Sequence, residues 1–357
     1  MGVLNIDWRP KLPEKKDFGI GIVGCGGIVQ YAHMPAYKKA GFNVVACYDI
    51  NPEAAQALAK QWDIPTVYTS LDELLADPKV EIVDIAVQPW HQLGIVEKVA
   101  AAKKHMLCQK PLSDEFSNAV KTVELAKKAG VKQAINHQMR WDAGIAAAKE
   151  MITKGWIGQP TDAQIQVSCE TPWHMWPWLA SSPRLEVMFH SIHYIDSLRF
   201  LFGEPEWVTS RHAKYANQGN VKAETKTVTV MDYANGLQVL VAVNHYNIHG
   251  ETLALFKFIG TEGAIEGTIG LMYNYPAGRP DTLEYRQKGR GVVTLALDEM
   301  WIPDAFVGPM AGLMRAIETD SVPATSTEDN LNTLRVVNAA YLSAQENRSV
   351  RPSEIQG

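Results

Sequence analysis

The stretch Gly19-Ile-Gly-Ile-Val-Gly-Cys-Gly-Gly-Ile-Val-Gln30 decides the fold of the first half of this chain. Its apolar start predicts a short strand, and the residues after the glycines predict a helix over 28–40. Gly24 and Gly26 allow the backbone to turn tightly and to approach a pyrophosphate, which then lies on the amide groups at the start of the helix. The third small position of the G-x-G-x-x-G pattern is Val29, so the glycines alone are a weak indication.

A second predicted strand, 44–48, ends at Asp49. An acidic side chain about 20 residues beyond the glycines can accept hydrogen bonds from the hydroxyls of an adenosine ribose. The same carboxylate repels a 2′-phosphate, which favours NAD over NADP. We therefore predict an NAD site, and its contacts from this region are Gly24, Gly26, Gly27, Ile28 and Asp49.

Composition limits the class of protein. The chain has 357 residues, enough for two domains, and its 46% hydrophobic content is that of a globular protein. The net charge of −5 comes without a dense run of Lys or Arg, which argues against nucleic acid and anionic membrane as partners. We find no apolar stretch of membrane-spanning length, no signal peptide, and no disulfide or metal spacing among the four cysteines. These features predict a reduced, cytoplasmic protein.

Strand and helix patterns alternate along the first half of the chain and are lost beyond Trp141. Alternation predicts a doubly wound parallel sheet, and the strand-like segments of the second half, joined by a turn at Asn235-Gly236, predict an antiparallel sheet. Helices are also predicted in the second half over 185–202, 305–319 and 328–345. The predicted organisation is an N-terminal arm (1–16), a Rossmann α/β domain (17–140) and a domain with an open, mainly antiparallel sheet flanked by helices (141–357).

Ligands of a doubly wound sheet bind beyond the carboxyl ends of its strands. Three segments follow predicted strands in this way, namely 88–91, 109–111 and 136–140. From them we expect further cofactor contacts by Gln88, Trp90, His91, Gln109, Lys110 and Gln138.

Several ordered motifs resemble the glucose–fructose oxidoreductase / inositol dehydrogenase / MocA (Gfo/Idh/MocA) family. They are Gly21-Ile-Val-Gly-Cys-Gly-Gly-Ile28, Ile85-Ala-Val-Gln-Pro-Trp-His91, Met106-Leu-Cys-Gln-Lys-Pro111, Gly260-Thr-Glu-Gly263 and Thr325-Ser-Thr-Glu-Asp329. The resemblance covers about 17–350. It implies a Rossmann domain followed by an open α/β domain, NAD(P) chemistry on sugars, polyols or related hydroxy compounds, and a homodimer or homotetramer paired through the exposed face of the second sheet.

Lys110 is the first predicted catalytic residue. Pro111 biases it toward an extended backbone, which holds its side chain at the strand end. A cation at this place can hydrogen-bond a substrate hydroxyl and stabilise the developing alkoxide. The family's Glu-Lys-Pro motif is matched at Lys110 and Pro111, whereas Gln109 replaces the usual Glu and removes a charge beside the lysine.

The second predicted catalytic segment is 184–196. Glu186, His190, His193 and Ser197 are spaced to share one face of a helix, and the resemblance implies that His193 is the general acid/base. The family often has Asp four residues before this His, but here the position is Phe189. Either Glu186 or His190 takes over orientation and proton relay, or the chemistry differs. Both histidines and Glu186 could face one metal ion, but the resemblance does not require one, so we predict no metal.

The segment 170–178 contains three tryptophans and two prolines, which exclude a regular central strand. It is either an aromatic platform for the C–H faces of a sugar or an apolar plug at a domain junction or oligomer interface. Possible substrate contacts from this and neighbouring segments are Trp173, His174, Trp176, Arg140, His245 and His249.

Three functions remain open from the sequence. The leading hypothesis is an NAD-dependent oxidoreductase acting on the hydroxyl of a sugar, cyclitol or sugar derivative, with Lys110 polarising the C–OH group and His193 taking its proton. The second is an NAD-dependent glycosidase or lyase that oxidises its substrate transiently, which the altered positions Gln109 and Phe189 suggest. The third is a non-enzymatic, dinucleotide-linked sensor.

Overall fold

The computed structural model describes residues 6–357, so the first five residues of the predicted arm lie outside the described residues. The described chain forms two compact units. The first, which we call the Rossmann unit, comprises Pro10–Gln138, Ile302–Leu331 and Gly357. The second, the antiparallel unit, comprises residues 6–9 with Met139–Trp301 and Asn332–Gln356. Each predicted domain is one continuous segment of the chain, whereas the Rossmann unit also includes residues 302–331, which follow the antiparallel unit in sequence.

Six parallel strands form the sheet of the Rossmann unit, in the order β3-β2-β1-β4-β5-β6. They are β1 (Ile20–Val23), β2 (Val44–Tyr48), β3 (Thr66–Val67), β4 (Ile82–Ile85), β5 (His105–Cys108) and β6 (Gln133–Ile135). This order confirms the predicted doubly wound sheet. Every residue of β1 and β4 is buried, as expected for strands that are covered on both faces.

Five helices connect these strands: α1 (Met34–Ala40), α2 (Pro52–Trp62), α3 (Leu71–Ala76), α4 (Pro89–Ala101) and α5 (Phe116–Ala129). Local signals set several of their ends. Asn51 caps α2, and Ser70 forms a capping box with Glu73 at α3. The amphipathic pattern over 93–103 predicts a helix that begins at Leu93, but this start is wrong: α4 begins at Pro89, because proline is tolerated in a first helical turn. Trp90 and His91 therefore belong to that turn and not to a strand-end loop.

The antiparallel unit contains an eight-stranded sheet in the order β14-β13-β12-β11-β7-β10-β9-β8. Its strands are β7 (Pro160–Ser168), β8 (Trp207–Ala213), β9 (Lys226–Asp232), β10 (Gln238–Asn244), β11 (Leu253–Gly260), β12 (Gly263–Thr268), β13 (Thr282–Gln287) and β14 (Gly291–Ala296). Only the pair β7 and β10 is parallel, which confirms the mainly antiparallel prediction. Strands β8, β13 and β14 lie at or near the two edges of the sheet and were not predicted.

The helices of the second half are α6 (Ala143–Thr153), α7 (Pro177–Ala180), α8 (Ile192–Phe202), α9 (Val307–Glu318) and α10 (Thr327–Glu346). Helix α6 packs on the sheet so closely that a Cβ at Gly144 would lie 2.9 Å from the Phe256 ring. Seven of its eleven residues are buried, six of them in an unbroken run over 143–148, so its sequence shows little of the one-sided period that reveals a surface helix. Within residues 6–357, no helix combines the length and apolarity that a membrane crossing needs.

Candidate active site

The glycine loop follows β1 and has the geometry that the sequence predicts. Gly24 adopts a φ of +94°, and a Cβ there would lie 2.6 Å from the carbonyl oxygen of Ala86. Gly26 is exposed, and a Cβ at this residue would meet no atom within 4 Å. The backbone at Gly26 is therefore open to a ligand, whereas Gly24 is required by the turn itself.

Asp49 is fixed against this loop. Its Oδ2 accepts a hydrogen bond from the Cys25 N–H at 2.6 Å, and its Oδ1 accepts one from the Asn51 N–H at 2.8 Å. A carboxylate has about four acceptor positions, so acceptor capacity is left for ribose hydroxyls. The exposed glycines, the carboxylate and the helical turn that begins at Val29 therefore fit a dinucleotide. Val29 is fully buried, so the third position of the glycine pattern faces the core.

Lys110 lies just beyond the end of β5 and is half-buried. Its backbone N–H donates to Oε1 of the Gln109 side chain at 2.8 Å. Burial lowers the pKa of the Lys110 ammonium group to about 7, because a charged amine loses hydration among protein atoms. Lys110 can therefore change its protonation state near neutral pH.

A buried polar network lies behind Lys110 and was not predicted from the sequence. It consists of His33, Tyr37, Asp84, Gln109 and Asn136. One sequence signal could have indicated this network: Asp84 lies within the otherwise apolar strand Ile82-Val-Asp-Ile85, and a buried carboxylate requires hydrogen-bond partners.

The remaining predicted cofactor contacts of the Rossmann unit lie on two other segments. Gln88 precedes the first turn of α4, and Trp90 is 45% exposed and packs edge-on against His91. Gln138 is buried at the start of a 3₁₀ turn, Gln138–Trp141. Their contact with a cofactor remains a prediction.

In the antiparallel unit, the predicted helix 185–202 contains a π-helical turn, Val187–Ser191, before α8. A π turn bonds residue i to i+5, so it adds a residue and breaks the spacing that places Glu186, His190 and His193 in one row. The Glu186 carboxylate instead accepts from the Ser191 hydroxyl at 2.6 Å and from the Thr227 hydroxyl.

The structure groups Glu186, His190 and Trp173 around His245. The His245 ring lies 4.3 Å from the His190 ring between centroids, and Trp173 packs edge-on against both imidazoles. Nε2 of His245 is 3.7 Å from Oε1 of Glu186. On the other side, its Nδ1 lies 2.7 Å from the Thr171 hydroxyl and 3.7 Å from the Cys169 sulfur. We call Cys169, Thr171, Trp173, Glu186, His190 and His245 the imidazole cluster.

Charge within the imidazole cluster favours a protonated His245. Burial by itself would lower the pKa of His245, but Cys169 and Glu186 outweigh burial and raise it to about 9. Burial alone would raise the pKa of the Cys169 thiol. The hydrogen bond to His245 acts in the opposite direction, and the pKa of Cys169 lies below its ordinary value. Cys169 gave no sequence signal, because it is a single cysteine without a spaced partner.

A raised pKa of His245 makes stability depend on pH. A histidine whose pKa rises on folding stabilises the protein fully below its unfolded pKa, near 6.5, and this contribution is lost as the pH rises through about 9. We expect His245→Asn to lower the free energy of unfolding more at about pH 6 than at about pH 9.5, by on the order of 2 kcal/mol. Urea unfolding at the two pH values measures the difference.

His212 provides a matched control in the same unit. Burial lowers the pKa of His212, so its effect has the opposite sign and His212→Asn should be less harmful at low pH. Equal pH dependence in the two variants would contradict the charge assignment for His245.

His193 is buried on α8, and its ring meets Trp301 edge-on at 5.2 Å. Phe189, at the position where the resemblance expects a carboxylate, is buried and packs on Trp178 with ring centroids 5.7 Å apart. The orienting group for His193 is therefore not supplied from position 189.

The other predicted substrate contacts are dispersed in this unit. Trp176 packs against Tyr275 at 5.4 Å, and His174 is exposed in a 3₁₀ turn. Arg140 is buried and forms a bidentate ion pair with Asp196, with both hydrogen bonds 2.7 Å long. His249 is exposed in the loop after β10. Among residues 6–357, no group of three or more His, Cys, Asp or Glu side chains could hold a metal ion.

The glycine loop, Asp49 and the parallel sheet define the Rossmann unit as a dinucleotide-binding module. The chain belongs to the Gfo/Idh/MocA family: the family's oxidoreductase domain with an NAD-binding Rossmann fold matches residues 18–137, and its C-terminal domain matches residues 145–266. The protein is therefore an oxidoreductase acting on CH–OH groups, and the predicted resemblance is confirmed.

Individual relatives extend over nearly the whole chain. A D-apiose dehydrogenase of Paraburkholderia graminis is 27% identical over 354 residues, which cover 96% of this chain and 91% of that protein. A D-xylose 1-dehydrogenase (NADP(+)) of Haloferax volcanii is 23% identical, covering 92% of this chain and 98% of that protein. The solved structure of an oxidoreductase from Agrobacterium radiobacter with NAD+, L-tartaric acid and magnesium has the same fold, with a TM-score of 0.85 at 24% identity over 95% of this chain and all of that one.

Proposed function

We propose that this protein is an NAD-dependent dehydrogenase that oxidises a hydroxyl group of a sugar, cyclitol or sugar derivative. The observation that carries the proposal is the half-buried lysine at the end of β5, whose pKa burial lowers to about 7. In its ammonium form, Lys110 donates a hydrogen bond to the reacting hydroxyl oxygen. It stabilises the negative charge that develops there as the adjacent C–H bond breaks.

His193 is the proposed general base. A neutral imidazole accepts the hydroxyl proton, so that the CH–OH group becomes a carbonyl group. NAD held by the glycine loop and Asp49 would supply the acceptor for the hydride that leaves the same carbon.

Asp49 supports NAD as the cofactor. Its carboxylate is held beside the glycine loop by two backbone amides, where a 2′-phosphate would meet a fixed negative charge. The relative from Haloferax volcanii is named for NADP, so membership of the family leaves the choice open.

Two observations support a carbohydrate as the substrate. The relatives from Paraburkholderia graminis and Haloferax volcanii are named for the pentoses D-apiose and D-xylose. In the antiparallel unit, Trp173 and His190 present aromatic surface above the buried His245. Aromatic faces bury the apolar C–H face of a sugar, and the imidazole of His190 offers a polar contact for a hydroxyl.

The decisive experiment is a turnover assay of the purified protein with NAD and with NADP on a panel containing D-apiose, D-xylose and myo-inositol. We expect NADH formation with at least one compound. We also expect kcat/KM with NAD to exceed kcat/KM with NADP by about tenfold or more. A tenfold difference corresponds to about 1.4 kcal/mol, which we assign to repulsion between Asp49 and the 2′-phosphate of NADP.

Failure to bind NAD, or NAD binding without oxidation of any sugar or cyclitol, would contradict the proposal. Cleavage of a glycoside with tightly retained NAD and no net NADH would instead identify the transient-oxidation chemistry, which is the alternative that the missing carboxylate at Phe189 suggests. Faster turnover with NADP than with NAD would contradict only the proposed role of Asp49 and would leave the proposed oxidation of a hydroxyl group standing.

A further inference from the structure

The buried network behind Lys110 fixes the protonation state of His33. His33 and Asp84 have no solvent exposure. Oδ2 of Asp84 lies 2.7 Å from both the Tyr37 hydroxyl and Nδ1 of His33. An ionised carboxylate only accepts hydrogen bonds, so Nδ1 of His33 carries a proton.

The other ring nitrogen of His33 faces amide groups. Its Nε2 lies 3.1 Å from Nε2 of Gln109 and 3.1 Å from Nδ2 of Asn136. The orientation of the Gln109 amide is set independently, because its oxygen accepts the Lys110 N–H at 2.8 Å. Turning the amide round would bring two donors together at that distance. Its NH₂ group therefore points to His33, whose Nε2 must carry a lone pair.

Two side-chain amides hold the backbone around Lys110, and one of them, Gln109, connects that backbone to His33. Gln109 bonds His33 at one end of its amide and the Lys110 N–H at the other. Gln92, which is also buried, donates from Nε2 to the carbonyl oxygens of Gln109 and Pro111 at 2.7 and 2.9 Å. The backbone from which the Lys110 side chain projects is thus held by side-chain amides.

We propose that His33 is a positioning residue for Lys110, acting through Gln109, and that it does so only as a neutral imidazole protonated on Nδ1. The proposal rests on the proposed function, since it assigns His33 a role in placing the lysine that contacts substrate. His33 itself touches no reacting atom.

The amide of Gln109 and a neutral His33 are suited to each other because the amide can donate a hydrogen bond to the unprotonated ring nitrogen. A carboxylate at 109 would present only acceptors, so His33 would have to donate from both nitrogens and become an imidazolium between two carboxylates. Gln109 thus keeps one buried charge out of the network and one carboxylate away from Lys110.

The other groups that face His33 do not supply a competing charge. Burial, followed by the Asp84 charge, raises the pKa of Tyr37 well above its ordinary value, so this phenol stays protonated. Burial also raises the pKa of Cys108, on β5, to about 12. The remaining ring contact of His33 is with apolar Phe306, with centroids 5.2 Å apart. Among the described residues, Asp84 is the carboxyl group that contacts His33.

The test compares Gln109→Glu with Gln133→Glu. Gln133 is a matched control, because it is a buried glutamine on the neighbouring strand β6 that bonds Met106, Cys108 and Thr327 and not His33. Nuclear magnetic resonance of protein with nitrogen-15-labelled histidine reports the protonation of each ring nitrogen, and the His33→Asn spectrum assigns the His33 signals.

At neutral pH we expect Nε2 of His33 to be unprotonated in the natural protein and protonated in Gln109→Glu. We expect Gln109→Glu to lower kcat by about 10–10²-fold with little change in the substrate KM, the size of effect produced by small misplacements of a catalytic group. Gln133→Glu should leave both readouts unchanged. A doubly protonated His33 in the natural protein, unchanged kcat in Gln109→Glu, or an equal loss in Gln133→Glu would overturn the proposal.

A second pair of variants tests the same point if Gln109→Glu does not fold. His33→Gln can place an amide oxygen near the former Nε2, where it accepts from Gln109, whereas the shorter His33→Asn cannot reach. We expect His33→Gln to retain most of kcat and His33→Asn to lose it, and equal kcat in the two would overturn the proposal. The proposed function fails separately, in the Lys110 variants described below, while the protonation state of His33 is measured without any substrate.

Discussion

Lys110→Met is expected to lower kcat by about 10²–10³-fold, the loss that follows removal of one donor to a developing oxyanion. NAD should still bind, as measured by fluorescence titration, because the glycine loop and Asp49 are untouched and Lys110 is only one of the predicted cofactor contacts. The variant should also be more stable than the natural protein at about pH 6. The folded-state pKa of Lys110 is lowered to about 7, so burial of its ammonium group opposes folding at pH values below the unfolded pKa. Loss of activity together with gained stability is the signature of a functional lysine.

Lys110→Arg sharpens this prediction. If the ammonium form is the active one, kcat of the natural protein should fall as the pH rises above about 7. Arginine remains charged throughout that range, so the residual activity of Lys110→Arg should lack this falling limb. Unchanged kcat in Lys110→Met would contradict catalysis by this residue and would favour the sensor. An identical falling limb in both proteins would assign the titration to another group.

Arg140→Met is expected to destabilise the antiparallel unit by about 3–5 kcal/mol, the cost of leaving a buried carboxylate without its main partner. The Asp196 carboxylate is almost completely buried and receives two hydrogen bonds from Arg140 and one from the Thr333 hydroxyl at 2.8 Å. Arg199, 3.9 Å from the same carboxylate, is already bonded to Thr333 and Glu204.

Urea unfolding followed by tryptophan fluorescence measures this effect, because all tryptophans except Trp62 and Trp90 lie in the antiparallel unit. The control is the double variant Arg140→Met/Asp196→Asn, which removes both charges. We expect it to recover most of the lost stability, since the large penalty comes from the uncompensated charge. A double variant as unstable as the single one would show that packing of the Arg140 side chain dominates.

Much of the Rossmann unit could be predicted because its signals are local. Three signals each specify the structure within about four residues. They are the capping box at Ser70, the N-cap Asn51 followed by Pro52 in the first turn of α2, and the glycine turn after β1. Apolar strands and one-sided helices then alternate with clear periods. The same reasoning misplaced the start of α4, because Pro89 marks the inside of a first turn as readily as a boundary.

Predictions in the antiparallel unit were weaker for a physical reason. Helix α6 has an unbroken buried run over 143–148 that hides its amphipathic period, and strand β13 carries the polar residues Thr282 and Arg286 on exposed positions. The π turn over Val187–Ser191 has no local signature, yet it changes which side chains share a surface. Helical spacing suggested that either Glu186 or His190 serves His193, whereas the Glu186 carboxylate accepts hydrogen bonds from Ser191 and Thr227 and lies beside His245.

The sequence by itself determined the fold class, the glycine loop with Asp49, the family and the lysine at the end of β5, because each depends on short-range pattern or on a motif. Only the tertiary structure decided which buried groups share protons. His33 and Asp84 are separated by 51 positions, and Cys169 and His245 by 76. Such pairs are selected by where strands and helices bring their ends together, and no spacing along the chain encodes that distance. Burial at those meeting points then sets the protonation states on which the proposed chemistry depends.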